Sequence, residues 1–157
     1  MLAPFHINIF ARPYDALAGP PVELNDVAVT PLQTPAGAPL TYVESLPLSF
    51  EQVYEALLRL PRLDAEPDGF FVLAGGAGAT RWSISGHLYD FNGRLHRMEL
   101  NGRCPKESFD ALVACLGATA SSLTFELVEQ GAALSASDFN VWASRAVSAP
   151  EPPPRRN

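Results

Sequence analysis

Cys104 stands where Pro105 and an amphipathic run open a helix, and the partial positive charge at a helix start lowers a thiol's pKa and favours the nucleophilic thiolate. Nucleophilic catalysis also requires a base within reach, and His87 and His96 are the candidates, with Glu99 as a nearby carboxylate. No spacing in the sequence brings either histidine to Cys104, so the plainer reading is a structural cysteine at a helix end. Cys115 lies among apolar residues of the same helix and reads as core. At 1.5 Å rise per residue the two cysteines stand about 16 Å apart, well beyond the reach of a disulfide. His6, His87, His96, Cys104 and Cys115 match no zinc-ligand spacing, and neither a metal nor a cofactor is expected. The glycine-rich stretch Gly75–Thr80 follows a strand but has no lysine in phosphate-loop position and leads into another strand rather than a helix. It reads as a flexible connection.

A second group of polar residues falls on one side of a hairpin over 81–102, whose turn is supplied by Asp90-Phe91-Asn92-Gly93-Arg94. A three-residue loop with Gly93 in the left-handed bulge position pairs Leu88 with His96, Gly86 with Met98 and Ile84 with Leu100. That register collects Trp82, Ile84, Leu88, Met98 and Leu100 on a core face and turns His96 toward it. Ser83, Ser85, His87 and Tyr89 then lie across from Asn101, Glu99, Arg97 and Leu95 on the open face, with His87 opposite Arg97 and diagonal to Glu99. Half-exposed antiparallel sheets often carry such a solvated polar face. Tyrosine and arginine are also the types enriched where partners anchor, which makes Ser85, His87, Tyr89, Arg97 and Glu99 the candidate binding residues.

The elements that would position these residues are readable in outline. Phe5, Ile7 and Ile9 alternate with His6, Asn8 and Phe10 as in a strand, and Val27–Val29 and Thr41–Val43 are further strand candidates among the prolines of residues 1–48. Ser49 with Gln52 forms a capping-box pattern, Leu48 and Val53 have staple spacing, and Phe50, Val53, Tyr54, Leu57 and Leu60 make one apolar face before Pro61. Phe70–Ala74 is apolar on both faces and is placed at the middle of the sheet. A second helix starts with Pro105 at its first position, turns Phe109, Leu112, Val113 and Leu116 inward, and stops at Gly117. Leu123, Phe125 and Leu127 alternate in a strand, and Ser135 with Asp138 opens a helix carrying Phe139 and Trp142. From Ser49 the order is therefore helix, strand, hairpin, helix, strand, helix. That order predicts an α+β fold, an antiparallel or mixed sheet with two to three helices packed mainly on one face. Residues 1–147 are expected to make a single domain and 148–157 a disordered proline-rich tail, able to act as a polyproline ligand.

Charge narrows the function classes. Setting aside Glu151, Arg155 and Arg156, the body carries 16 acidic against 9 basic residues, a balance of −7, and Lys106 is its one lysine. A nucleic-acid surface needs clustered cations, so no nucleic acid is expected as a partner. The start of the chain lacks the basic and apolar pattern of a secretory signal, and no segment is apolar enough to span a bilayer, which suggests a cytoplasmic protein without a membrane role. With no nucleophile–base pair, phosphate loop or metal cluster, the reading is a non-catalytic protein-binding module, a small acidic adaptor, inhibitor or immunity-type protein acting through the open sheet face on a protein partner, for which a basic one is the better match. The alternatives are a small enzyme using Cys104 or His87 with a nearby carboxylate, and a structural or assembly subunit.

Overall fold

A computed structural model describes residues 1–42 and 44–147. The expected tail at 148–157 lies outside the described residues. In chain order the strands are β1 (Phe5–Ala11), β2 (Leu17–Ala18), β3 (Val22–Leu24), β4 (Val27–Val29) and β5 (Leu32–Gln33), followed by helix α1 (Phe50–Leu58). Then come β6 (Leu63–Ala65), β7 (Phe70–Gly75), β8 (Trp82–Phe91), β9 (Arg94–Gly102), α2 (Lys106–Ala114), β10 (Leu123–Leu127), β11 (Ala132–Leu134) and α3 (Ala136–Ala143). Seven strands form one antiparallel sheet in the order β11-β10-β1-β9-β8-β7-β6, and the fold is α+β.

The helices lie on one face of this sheet. Phe5, Ile7 and Ile9 of β1, Ile84 and Leu88 of β8, and Met98 and Leu100 of β9 are buried in one core with Val53 and Leu57 of α1, Phe109 and Leu112 of α2, and Phe139 and Trp142 of α3. Full burial of each large apolar side chain contributes roughly 1.5–3 kcal/mol, so this layer carries most of the stabilisation. The helix starts follow local chemistry. Ser49 and Gln52 make the reciprocal capping box at α1, and the Ser135 hydroxyl accepts from the Asp138 amide at α3. Pro105 sits one position earlier than the sequence suggests, as the cap of α2 rather than its first residue, because its ψ of 149° is extended.

Residues 12–42 form a strap around the β11 edge. The β3–β4 hairpin packs on the helix side, where the Asn25 side chain accepts from Trp142 Nε1 at 3.2 Å and Asp138 accepts from the Thr30 amide at 2.8 Å. The β2–β5 pair covers the other face, with Ala16, Leu32 and Leu40 in a small second core against Ala133. Pro39 makes only an isolated bridge to Gln33 and Thr41–Tyr42 form no strand, because Tyr42 packs on the sheet by its ring rather than by backbone pairing.

Two further expectations change. The Phe70–Ala74 run belongs to β7, second from an edge, and alternates buried Phe71 and Leu73 with an exposed Phe70, so the centre of the sheet is β9. The hairpin closes on a two-residue Asn92-Gly93 loop, both residues at positive φ, and the ladder then shifts between Tyr89 and Asp90. Leu88 pairs with Met98, Gly86 with Leu100 and Ile84 with Gly102, two positions away from the expected pairing. A shift of two preserves each residue's face, so the core set survives. The shift is a bulge in which His96 and Arg97 together oppose Tyr89, and it moves Leu95 from the open face into the core, where it is fully buried.

Candidate functional site

The strands β7, β8, β9 and β1 present their second face away from the helices, and the strap covers the β10–β11 end of it and reaches β1 and β9 through Tyr42. Cross-strand pairing sets what lies there. Ser85 faces Asn101, His87 faces Glu99 and Tyr89 faces Arg97, so His87 is opposite Glu99 rather than Arg97. β1 lies beside β9 with His6 against Asn101 and Asn8 against Glu99, which adds His6, Asn8 and Phe10 to the same face. All five candidate binding residues therefore share one surface, and each is partly exposed.

Arg97 is its centre. The guanidinium carbon lies 3.9 Å from the Tyr89 ring centroid and 5.4 Å from that of Tyr42, and Nε donates to Asn8 Oδ1 at 3.2 Å. A guanidinium between two rings gains the quadrupole attraction of both faces while keeping donors free for a ligand. His87 stacks on Tyr89 at 4.5 Å between centroids, and Phe70 tilts toward His87 at 6.4 Å. On the other flank Tyr42 meets Phe10 at 4.6 Å and His96 at 4.5 Å. The bulge explains this last contact, since it turns His96 to the open side with Arg97 instead of toward the core. The result is a ladder of rings across the strands, Phe70, His87, Tyr89, Tyr42 and Phe10, with Arg97 in the middle.

Carboxylates flank the ladder. Asn8 donates to Glu126 Oε1 at 3.0 Å and the Tyr42 hydroxyl donates to the same oxygen at 3.3 Å. Burial, followed by the Glu126 charge, holds the Tyr42 hydroxyl above its ordinary pKa, with Arg97 opposing in part. Glu99 lies 3.7 Å from His6 Nε2, so its oxygen approaches β1 more closely than it does His87. Ser85 donates to the Asn101 carbonyl at 3.3 Å. Tyr42, Asn8, Glu126, His96 and Phe70 are residues that sequence reasoning missed here. Strand alternation already assigned Asn8 to the polar side of β1, but nothing local placed β1 beside β9.

Cys104 belongs to the opposite layer. It is fully buried in the helix-side core, whereas His87 and His96 are on the open face, so the sheet separates the thiol from both bases. Burial pushes the thiol up to about 12, with Asp110 adding to the rise and the chain's amino terminus opposing it. The helix-start effect expected from the sequence is thereby reversed, because desolvation penalises the thiolate more than a helix end can compensate. Cys115 is raised by burial as well, and both cysteines are unpaired. Among the described residues, no group of three or more potential metal ligands converges, and no helix is long and apolar enough to cross a membrane.

A cleft of about 470 Å³ opens where this face meets the end of α3, lined by His6, Asn101, Asp26, Glu129, Arg145 and Val147 among others. Arg145 is among its lining residues, donating to the Pro4 carbonyl at 3.1 Å and lying 3.7 Å over the Trp142 ring. No family model matches the chain, and neither the curated proteins nor the solved structures contain a significant match to it.

Proposed function

We propose that the chain is a non-catalytic protein-binding module, a small acidic adaptor, inhibitor or immunity-type protein, that engages its partner through the ring ladder of the open sheet face. The observation that carries this reading is Arg97 held between Tyr89 and Tyr42 while still partly exposed. An anchor fixed before binding loses little side-chain entropy when the partner arrives, and tyrosine and arginine are the types on which interface energy concentrates. Glu99, Glu126 and the body's balance of −7 favour a partner with basic groups over a nucleic acid. Two buried free thiols suit a reducing, cytoplasmic setting.

The test is capture of a partner from native lysate by the wild-type chain beside a Tyr89→Ala/Arg97→Ala variant whose fold is verified by circular dichroism. The partner retained by the wild type should bind the variant at least about fivefold more weakly, the equivalent of about 1 kcal/mol. Equal affinity in a folded variant removes this face as the binding surface.

A further inference from the structure

Two Asn-Gly pairs occur in the chain, and the fold gives them opposite settings. Asn92-Gly93 is the loop at the free end of the β8–β9 hairpin, where Phe91, Asn92, Gly93 and Arg94 are all exposed. A Cβ placed on Gly93 would meet nothing within 4 Å, and among the described residues no backbone acceptor takes its amide. Asn101-Gly102 lies inside the sheet instead. Gly102 pairs with Phe5 of β1 on one side and Ile84 of β8 on the other, and a Cβ there would come within 2.6 Å of the Ser83 carbonyl oxygen. We propose that Asn92 is a site of spontaneous covalent modification, in which the Gly93 backbone nitrogen attacks the Asn92 side chain and leaves an isoaspartyl linkage that undoes the hairpin turn.

The reaction consumes only water. The Gly93 nitrogen bonds to Asn92 Cγ and gives up its proton, the bond from Cγ to the side-chain nitrogen breaks, and ammonia leaves carrying that proton. Water then opens the resulting five-membered ring. Breaking the new bond at Cγ leaves an aspartate on the original main chain. Breaking the bond between the Gly93 nitrogen and the Asn92 backbone carbonyl carbon routes the chain through Cβ and Cγ and leaves the backbone carbon as a free carboxylate. Glycine favours the attack because no Cβ shields its nitrogen. Rotation about the Asn92 backbone is also required, and it costs least beyond the last ladder pair, Phe91 with Arg94, whereas at Gly102 it must break pairing on both sides. The two products differ in effect. Asp-Gly suits the left-handed pair at φ 52° and 75° as well as Asn-Gly does, but an extra main-chain carbon lengthens a two-residue loop. Loop length sets register, and the nearest irregular point of the ladder is the bulge at His96 and Arg97. The isoaspartyl form therefore disturbs the contact of Arg97 with the Tyr89 ring.

The test follows the full chain held warm at mildly alkaline pH, where the attacking amide loses its proton more readily. Peptide mapping by mass spectrometry, with chromatographic separation of the two isomers, should show Asn92 converting at least about tenfold faster than Asn101, with isoaspartate among the products. The nuclear magnetic resonance signals of Tyr89 and Arg97 should move in step with the isoaspartyl fraction. An Asn92→Gly variant, whose Gly-Gly loop accepts both left-handed positions, should keep those signals unchanged through the same incubation. Conversion of Asn92 no faster than that of Asn101 overturns the proposal. So does isoaspartate at position 92 with the Tyr89 and Arg97 signals unmoved, or an equal drift in Asn92→Gly. No partner takes part, so each outcome is independent of partner capture.

Discussion

The chemistry of individual residues in this protein is decided by which side of the sheet they face. His87, His96 and Cys104 look alike in the sequence as candidates for a thiol site, yet His87 stacks on Tyr89 and His96 meets Tyr42 edge to face on the partly exposed side while the cysteine is sealed under the helices. Desolvation raises the folded thiol of Cys104 from 9.0 to about 12, so at neutral pH it should not react with a thiol-specific disulfide reagent until the chain unfolds. The same shift has a thermodynamic consequence. Between pH 9.0 and about 12 the unfolded thiol has lost its proton while the native one retains it. The native state then binds more protons, and linkage requires stability to fall as pH rises through that window. Urea unfolding of a Cys104→Ala variant should show a shallower alkaline loss than the wild type, whatever the variant loses in packing. Equal slopes would mean that the thiol is not held protonated by the fold.

Among the elements, the β8–β9 hairpin repays most attention because one extra residue arranges the whole face. The Asn-Gly loop supplies the left-handed pair that a two-residue turn requires, with φ of 52° and 75°. A regular ladder from that loop pairs Asp90 with Leu95 and would bring Arg97 opposite the buried Leu88, carrying Arg97 and Glu99 into the core along with Leu95. The bulge at His96 avoids this by returning Arg97 and Glu99 to the open side while Leu95 stays in the core, and it sets His96 and Arg97 side by side against Tyr42. Leu95 also accepts the Leu46 amide through its carbonyl at 2.9 Å, which fixes the approach to α1. Leu95→Ala should cost about 2–5 kcal/mol in chemical denaturation, the range for a fully buried leucine whose site cannot collapse. A loss below about 1 kcal/mol would mean that burial of Leu95 does not hold the bulge in place.

For the whole molecule, the strap of residues 12–42 determines how much of the sheet remains open. It passes around the β11 edge, filling one side with Val29 and the other with Leu32 and Leu40, and so covers an edge strand that would otherwise be free to pair. Its inner boundary is Tyr42, pinned by Phe10, His96 and Glu126. Tyr42→Ala removes two edge-to-face ring contacts, each worth about 0.5–1.5 kcal/mol, and should accelerate amide hydrogen exchange through the strap while β8 and β9 stay protected. Unchanged exchange in residues 32–42 would show that the strap is held by its own small core alone.

Much of this architecture is written in local sequence. The alternation of Phe5, Ile7 and Ile9, the Ser49–Gln52 and Ser135–Asp138 caps, and the inward faces of α1, α2 and α3 depend on neighbours within a few positions, and each is found in the structure. The side of the sheet on which Ser85, His87, Tyr89, Arg97 and Glu99 lie was legible for the same reason, since strand alternation has a period of two and an error of two positions leaves it intact. The register itself was not legible, because an extra residue at His96 becomes favourable only when a core exists that takes Leu95 and must exclude Arg97. Nor could the sequence place β1 beside β9 or bring Tyr42 over Arg97, pairings between segments 50 to 100 residues apart that no local signal reports. Residue types determined that there would be a polar face, and the order of the strands decided that it would be a clamped arginine among rings.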